Sequence, residues 1–341
     1  MADALIDHDT VVPFARAEER KPSGLDQIRI VGGQRLNGVI RVSGAKNSAL
    51  KLMCASLLTP DTVSLDNMPN GLRDIASQTD LMIHLGCTIS AKDDLMALQA
   101  RDIPVREAPY ELVRKMRTSI LVLGPLLARF GQARVSLPGG CAIGTRPVDL
   151  HIDGLKAMGA HIALEGGYIN ATAPQGLKGA RITFPKVSVG ATENLMMAAT
   201  LAQGVTVLSN AAREPEIADL GALLQKMGAK IEGLGTSEIT IQGVRELHGA
   251  RHTVVPDRIE TGTWMIAVTL TGGTLRLQNA RLEHLEALAE PLRRAGAKIA
   301  QEDGDIVVSR NGSPLRGTDI MTAPYPGFPT DLQAQFMTML T

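Results

Sequence analysis

Met227-Gly228-Ala229-Lys230-Ile231 is one of four near copies of a single pattern, and that repetition decides how the rest of the chain is read. The others are Leu85-Gly86-Cys87-Thr88-Ile89, Met158-Gly159-Ala160-His161-Ile162 and Ala295-Gly296-Ala297-Lys298-Ile299. Their glycines stand 73, 69 and 68 positions apart. An amphipathic pattern runs ahead of each glycine. Ile217, Leu220, Leu224 and Met227 fill its apolar slots in one copy, and Leu285, Leu288, Leu292 and Ala295 in another. Offsets of three, four and three describe one helix face. Glycine just past the last slot is the expected helix stop, and the isoleucine beyond it opens a strand. A second strand follows across a polar turn, as over residues 231–244 and 299–308.

Earlier in each copy an Ala-, Met- and Leu-rich helix runs into another strand, as at 47–58 then 63–65, and 192–202 then 205–208. Each copy thus reads helix, strand, helix, strand, strand. A period of about seventy residues implies repeated supersecondary units sharing a core. The order of elements predicts an α/β (α+β) fold with helices layered on sheets. Hydrophobic residues make up 44% of the 341 but aromatics only 3%, which fits buried helices built from small side chains.

The bulk composition excludes several classes of function. Lys+Arg 35 balances Asp+Glu 35, so no broad nucleic-acid footprint is expected, and an anionic ligand needs a local basic cluster. Cys54, Cys87 and Cys141 are widely spaced without metal-type pairing. Cys54 and Cys87 fall in apolar runs and read as core. No apolar run is long enough to span a bilayer. Residues 1–25 are mixed in charge without a signal-peptide core, which predicts a loose extension on a cytoplasmic protein. No Walker A loop, dinucleotide fingerprint or zinc-type histidine pair occurs.

The chemistry-bearing stretch is Pro138-Gly139-Gly140-Cys141-Ala142-Ile143-Gly144-Thr145-Arg146-Pro147. It joins a strand expected at 133–137 to a helix expected at 147–158. Cys141 and Arg146 therefore share a connector at a helix N-terminus, where anions are stabilised. From residue 137 to 147 it is ten positions long, against seven for its counterpart from 208 to 215. The glycine-rich extra length suggests a mobile lid with a thiol at its tip, the alternative being an ordinary surface loop.

The starts of the first helices carry Lys46, Arg117, Thr192, Glu260 and Asp331. Cations at Lys46 and Arg117 oppose the helix dipole and call for a nearby anion such as phosphate. Glu260 and Asp331 are equally read as ordinary first-turn acids. His151 occupies the slot of Leu220 and Leu288, as a core histidine or a ligand contact. Lys186-Val187-Ser188-Val189-Gly190-Ala191-Thr192 offers donors for an anion or simply a cap. Ala212-Arg213-Glu214-Pro215-Glu216 reads as a solvated connector. Thr330 with Gln333 matches a capping box and opens a further first helix. The expectation is four complete units plus the start of a fifth, with a C-terminal part lacking.

Several of these segments together resemble the UDP-N-acetylglucosamine enolpyruvyl (1-carboxyvinyl) transferases of peptidoglycan synthesis. The likeness is carried by Ser43-Gly44-Ala45-Lys46-Asn47, the Cys141 connector with Arg146-Pro147-Val148-Asp149-Leu150, the stretch from Lys186 to Thr192, Ala211-Ala212-Arg213-Glu214-Pro215-Glu216 and Phe328-Pro329-Thr330-Asp331. It runs from about residue 28 to the end. The resemblance implies two domains of three βαβαββ units around buried helices, an inverse α/β barrel. One domain would be 26–45 with 256–341, incomplete at its C-terminus, and the other 46–255.

By the same resemblance, phosphoenolpyruvate would be held by Lys46 and Asn47 with help from Arg117 and Arg146. The nucleotide sugar would contact Arg117, Arg146, Pro147, Val148, Asp149, Leu150, Lys186, Val187, Ser188, Val189 and Asp331, with His151 beside them. The sugar 3-hydroxyl would add to the enol carbon, and phosphate would then leave. Asp331 would be the general base and Cys141 the general acid toward the methylene carbon. No cofactor, no metal, no membrane, no nucleic acid and no obligate protein partner is implied. The family pattern needs roughly 100 further residues, so weak or absent turnover is expected of the polypeptide as given. Competing readings are a transferase for another acceptor, such as that of the shikimate pathway, and an inactive paralogue that binds nucleotide sugar.

Overall fold

The computed structural model describes residues 29–114, 117–137 and 148–341, with only the backbone of Arg117. They form two compact units, Gly44–Val255 and the described residues up to Ser43 together with Pro256–Thr341.

After β1 (Leu36–Arg41), which belongs to the smaller unit, the chain enters the larger one and builds the same arrangement three times. The first copy is α1 (Lys46–Ala55), β2 (Thr62–Asp66), α2 (Arg73–Leu85) and the hairpin β3 (Thr88–Lys92) and β4 (Leu95–Gln99). The second is β5 (Glu107–Ala108), α3 (Tyr110–Val113), a 3-10 helix (Arg117–Val122) running into α4 (Leu123–Phe130), β6 (Gln132–Ser136), α5 (Asp149–Ala157), β7 (His161–Glu165) and β8 (Tyr168–Thr172). The third is β9 (Arg181–Thr183), α6 (Val189–Ala199), β10 (Val205–Ser209), α7 (Pro215–Lys226), β11 (Lys230–Glu232) and β12 (Glu238–Gln242). Strand β13 (Arg251–Thr253) then ends the larger unit.

The smaller unit resumes with α8 (Arg258–Thr271), β14 (Gly273–Gln278), α9 (Glu286–Ala295), β15 (Lys298–Glu302) and β16 (Asp305–Arg310). A 3-10 turn (Thr330–Leu332) leads into α10 (Gln333–Leu340). The capping box expected of Thr330 and Gln333 does not form. Thr330 lies inside the 3-10 turn, and the residues at the two cap positions, Pro329 and Leu332, make no side-chain cap bond.

The four sheets found among the described residues have the same order: an edge strand parallel to its neighbour, then two antiparallel pairings. The orders are β13-β2-β4-β3, β5-β6-β8-β7, β9-β10-β12-β11 and β1-β14-β16-β15. In the second and third copies the parallel edge strand opens its own unit. In the first it is β13, and in the smaller unit β1 pairs with β14 across the whole of the larger unit.

Sequence pattern explains these elements. Ile217, Leu220, Leu224 and Met227 are fully buried, as are Leu288, Leu292 and Ala295. Gly86, Gly159, Gly228 and Gly296 all have positive φ, between 89° and 115°, the left-handed conformation that ends a helix at little cost to glycine. Helices α1 and α6 are buried on every side from Ser48 and Ala191 onward, which is why they are rich in Ala, Met and Leu rather than amphipathic. In the smaller unit Phe336 of α10 packs edge-on against Phe328, with ring centroids 5.3 Å apart.

One feature of the repeat escaped the sequence reading. Asn67, Asn210 and Asn279 follow β2, β10 and β14, and each has φ between 54° and 58°. Asparagine tolerates that conformation better than most residues. Each donates from Nδ2 at 2.9 Å to a backbone carbonyl at the end of the parallel edge strand, of Val254, Phe184 and Val42 respectively.

Candidate functional site

Lys46 is the first residue of α1, whose N-terminus has no side-chain cap and no acid in its first turn. Its Nζ lies 2.8 Å from Asp74 Oδ2 at the start of α2, both side chains being about two-fifths exposed (40% and 42%). The carboxylate of Asp74 thus supplies charge that the cation lacks within its own helix. Asn47 beside it is half-buried. One residue further on, Ser48 Oγ donates at 2.5 Å to Asp219 Oδ2, which also accepts from Val255 N at 3.2 Å. Asp219 Oδ1 accepts from His252 Nε2 at 2.8 Å, and Lys226 Nζ lies 3.1 Å from His252 Nδ1. The turn carrying Lys46 and Asn47 is therefore tied through a largely covered carboxylate to the last residues of the larger unit.

The 3-10 helix opened by Arg117 packs on α1 and α6, and α5 also packs on α6. Asp149 and Leu150 start α5, with Val148 at its cap position. Ser188 caps α6, its Oγ accepting from Ala191 N at 3.3 Å, and Val189 is the first helical residue. Lys186 and Val187 are exposed just before it. His151 is 7% exposed, and burial pushes its pKa down to about 4. The structure thus brings together the start of α5 and the start of α6. Asp331 lies in the smaller unit, exposed on the 3-10 turn whose Leu332 is buried. Glu260, also there, accepts at Oε2 from Ser43 N and Oγ at 3.1 and 2.6 Å. Cys141, Arg146 and Pro147 lie outside the described residues, as does the side chain of Arg117.

The connector at Glu214 and Glu216 corrects an expectation. Both acids are buried, 8% and 5% exposed, rather than solvated. They flank Glu193 of α6, which is fully buried and 3.7 Å from Lys51 Nζ of α1. Burial, with Glu216 and Glu214 adding to it, pushes the Glu193 carboxyl up to about 7. Neither of its oxygens has a hydrogen-bond partner among the described residues. Sequence reasoning missed Glu193, Asn194 and Asp219. Polar residues inside an otherwise all-apolar helix, as in Thr192-Glu193-Asn194 of α6, were the available signal.

Cys54 and Cys87 are buried, and desolvation pushes each thiol up to about 12. Neither is a nucleophile at neutral pH. Among the described residues no group of three or more His, Cys, Asp or Glu is placed to hold a metal ion. No helix among them is long and apolar enough to cross a membrane.

Comparison with known proteins gives this geometry a context. A family model described as EPSP synthase (3-phosphoshikimate 1-carboxyvinyltransferase) matches residues 30–341. The UDP-N-acetylglucosamine 1-carboxyvinyltransferase of Acidiphilium cryptum is 58% identical over 316 residues, which cover 93% of this chain and 75% of the relative. That of Sinorhizobium fredii is 57% identical over 328 residues, covering 93% and 76%. Among solved structures, the enolpyruvyl transferase NikO from Streptomyces tendae superposes with a TM-score of 0.80 at 24% identity, over 90% of this chain and 73% of that one. EPSP synthase from Acinetobacter baumannii superposes at 0.67 with 19% identity, over 84% and 67%. At these identities the two structures speak to the fold.

Proposed function

The chain belongs to the EPSP synthase family of carboxyvinyltransferases, and we propose from this that it transfers the enolpyruvyl group of phosphoenolpyruvate to the 3-hydroxyl of UDP-N-acetylglucosamine with release of phosphate. The observation that carries the reading is 58% identity to a UDP-N-acetylglucosamine 1-carboxyvinyltransferase across 93% of the chain. The reaction is the committed step toward peptidoglycan, performed in the cytoplasm, and the two compact units are its two domains.

The roles follow from what each residue offers. Lys46 and Asn47, with Arg117 and Arg146, hold the phosphoenolpyruvate anion. Lys46 reaches it by exchanging its contact with Asp74 for one with phosphate or carboxylate, where charge redistributes as the enol double bond is consumed. The nucleotide sugar lies along the starts of α5 and α6. Pro147, Val148, Asp149 and Leu150 contact it, as do Lys186, Val187, Ser188 and Val189, and the α6 dipole favours the diphosphate. Asp331 takes the proton of the attacking hydroxyl, and Cys141 delivers one to the methylene carbon. Elimination of phosphate then regenerates a double bond and completes the transfer.

The test is release of inorganic phosphate on mixing the polypeptide with both substrates. Release that requires UDP-N-acetylglucosamine together with phosphoenolpyruvate is expected. Release supported by shikimate 3-phosphate in place of the nucleotide sugar would overturn the choice of acceptor. Tight binding of the sugar with no release under any condition would favour a binding paralogue instead.

A further inference from the structure

Asn194 is fully buried on α6 and bridges two other helices. Its Oδ1 accepts from Gly124 N of α4 at 2.8 Å, and its Nδ2 lies 3.0 Å from His151 Nδ1 of α5. The backbone N–H of Gly124 can only donate, so the amide oxygen must face it. The NH2 group then faces His151, and Nδ1 must accept. That leaves the imidazole proton on Nε2. Gly124 permits the approach, because a β-carbon there would overlap both the Asn194 side-chain oxygen and its carbonyl.

The other edge of the ring carries the consequence. A β-carbon on Gly190 would sit 3.4 Å from both Cε1 and Nε2 of His151, so this edge lies against the second residue of α6. His151 as a whole is 7% exposed, and its one hydrogen bond among the described residues runs through Nδ1, not Nε2. Gly190 belongs to the first turn of α6, whose N–H groups an α-helix leaves without internal partners. A donor on a nine-tenths buried ring turned toward such a helix start is placed to meet an acceptor oxygen. We propose that Asn194 is a positioning residue that fixes His151 as a neutral Nε2–H donor to a nucleotide-sugar oxygen at the start of α6. This rests on the function proposed above and extends it to a residue that makes no contact with substrate itself.

Burial keeps the ring neutral, its pKa lying at about 4. The titratable groups on elements packed against α5, which are Glu193 on α6, His161 and Glu165 on β7 and Arg181 on β9, contribute none of that shift. Specificity thus comes from the direction of one proton rather than from charge.

Asn194→Asp separates this role from simple packing. The carboxylate still accepts from Gly124 N but can only accept at Nδ1, so the imidazole proton moves there. Neutral His151 then turns a lone pair toward the ligand, while the new carboxylate favours the charged ring, so that the imidazolium formed at lower pH regains the Nε2–H. Calorimetric titration with UDP-N-acetylglucosamine should give the wild type nearly equal affinity at pH 6 and pH 8. Asn194→Asp should bind close to wild type at pH 6 and about tenfold more weakly at pH 8. His151→Phe should be about tenfold weaker at both. Nitrogen-15 NMR of the wild-type imidazole, assigned by its absence in His151→Phe, should show the proton on Nε2. Asn194→Asp weakened equally at both pH values, or not at all, would overturn the inference, and so would a wild-type proton on Nδ1. A wild type that takes no nucleotide sugar at either pH would overturn the proposed function and this inference with it. Wild-type binding with a pH-independent Asn194→Asp would overturn the inference alone.

Discussion

Replacing Glu193 by glutamine should change the pH dependence of stability more than any surface substitution. The carboxyl is fully buried on α6, 3.7 Å from Lys51, with neither oxygen hydrogen-bonded among the described residues. Its pKa is raised from the ordinary 4.5 to about 7, chiefly by burial. An unfolded chain loses that proton near pH 4.5 and the folded one near pH 7. Between those values the folded state binds more protons, so its stability falls as pH rises and levels off above 7. The difference of about 2.5 in pKa, at about 1.4 kcal/mol for each, amounts to about 3 kcal/mol, most of it lost between pH 5 and pH 8. Glutamine keeps the shape of the protonated acid and has no proton to lose. Urea unfolding at pH 5 should find wild type and Glu193→Gln nearly equal. At pH 8 the variant should be the more stable by up to about 3 kcal/mol, an upper bound because Lys51 loses its counter-charge. Parallel pH dependences for the two proteins would refute the argument.

Other consequences are as direct. Gly124→Ala places a methyl group into Asn194 and should cost about 2 kcal/mol; an unchanged thermal midpoint would contradict the close approach described. Cys54 and Cys87, with thiols pushed up to about 12, should resist maleimide in the folded protein at pH 7 and react only on unfolding, whereas Cys141 should react in the native state. Lys46→Ala should lower phosphate release by about a hundredfold and raise the KM for phosphoenolpyruvate more than that for the nucleotide sugar; equal effects on both would remove Lys46 from the phosphoenolpyruvate side.

The local half of the fold was legible because it is written in short-range periodicity. Apolar offsets identified the buried faces of α7 and α9, and four glycines marked where helices stop. What could not be read is pairing between distant elements. Ser48 meets Asp219 across 171 positions and Asn194 meets His151 across 43, and no local pattern encodes either. The burial of Glu214 and Glu216 was missed for the same reason. A charged tripeptide around Pro215 looks solvated until the sheet order folds it against α6. The helix register of the candidate site was visible as motif, whereas the hydrogen bonds that orient His151 and anchor Ser48 depend on which helices become neighbours. The capping box at Thr330 failed more simply, because the chain enters α10 through a 3-10 turn.

Strand β13 closes a sheet begun almost two hundred residues earlier, and β1 pairs with β14 across 237 positions. As the chain leaves a ribosome, β1 and β2 emerge long before the strands that complete their edges. Until then each offers unpaired backbone groups to any passing strand. The order of synthesis therefore leaves the edges beside β1 and β2 open longest, while the copy spanning β5 to β8 can close its own sheet as soon as it appears.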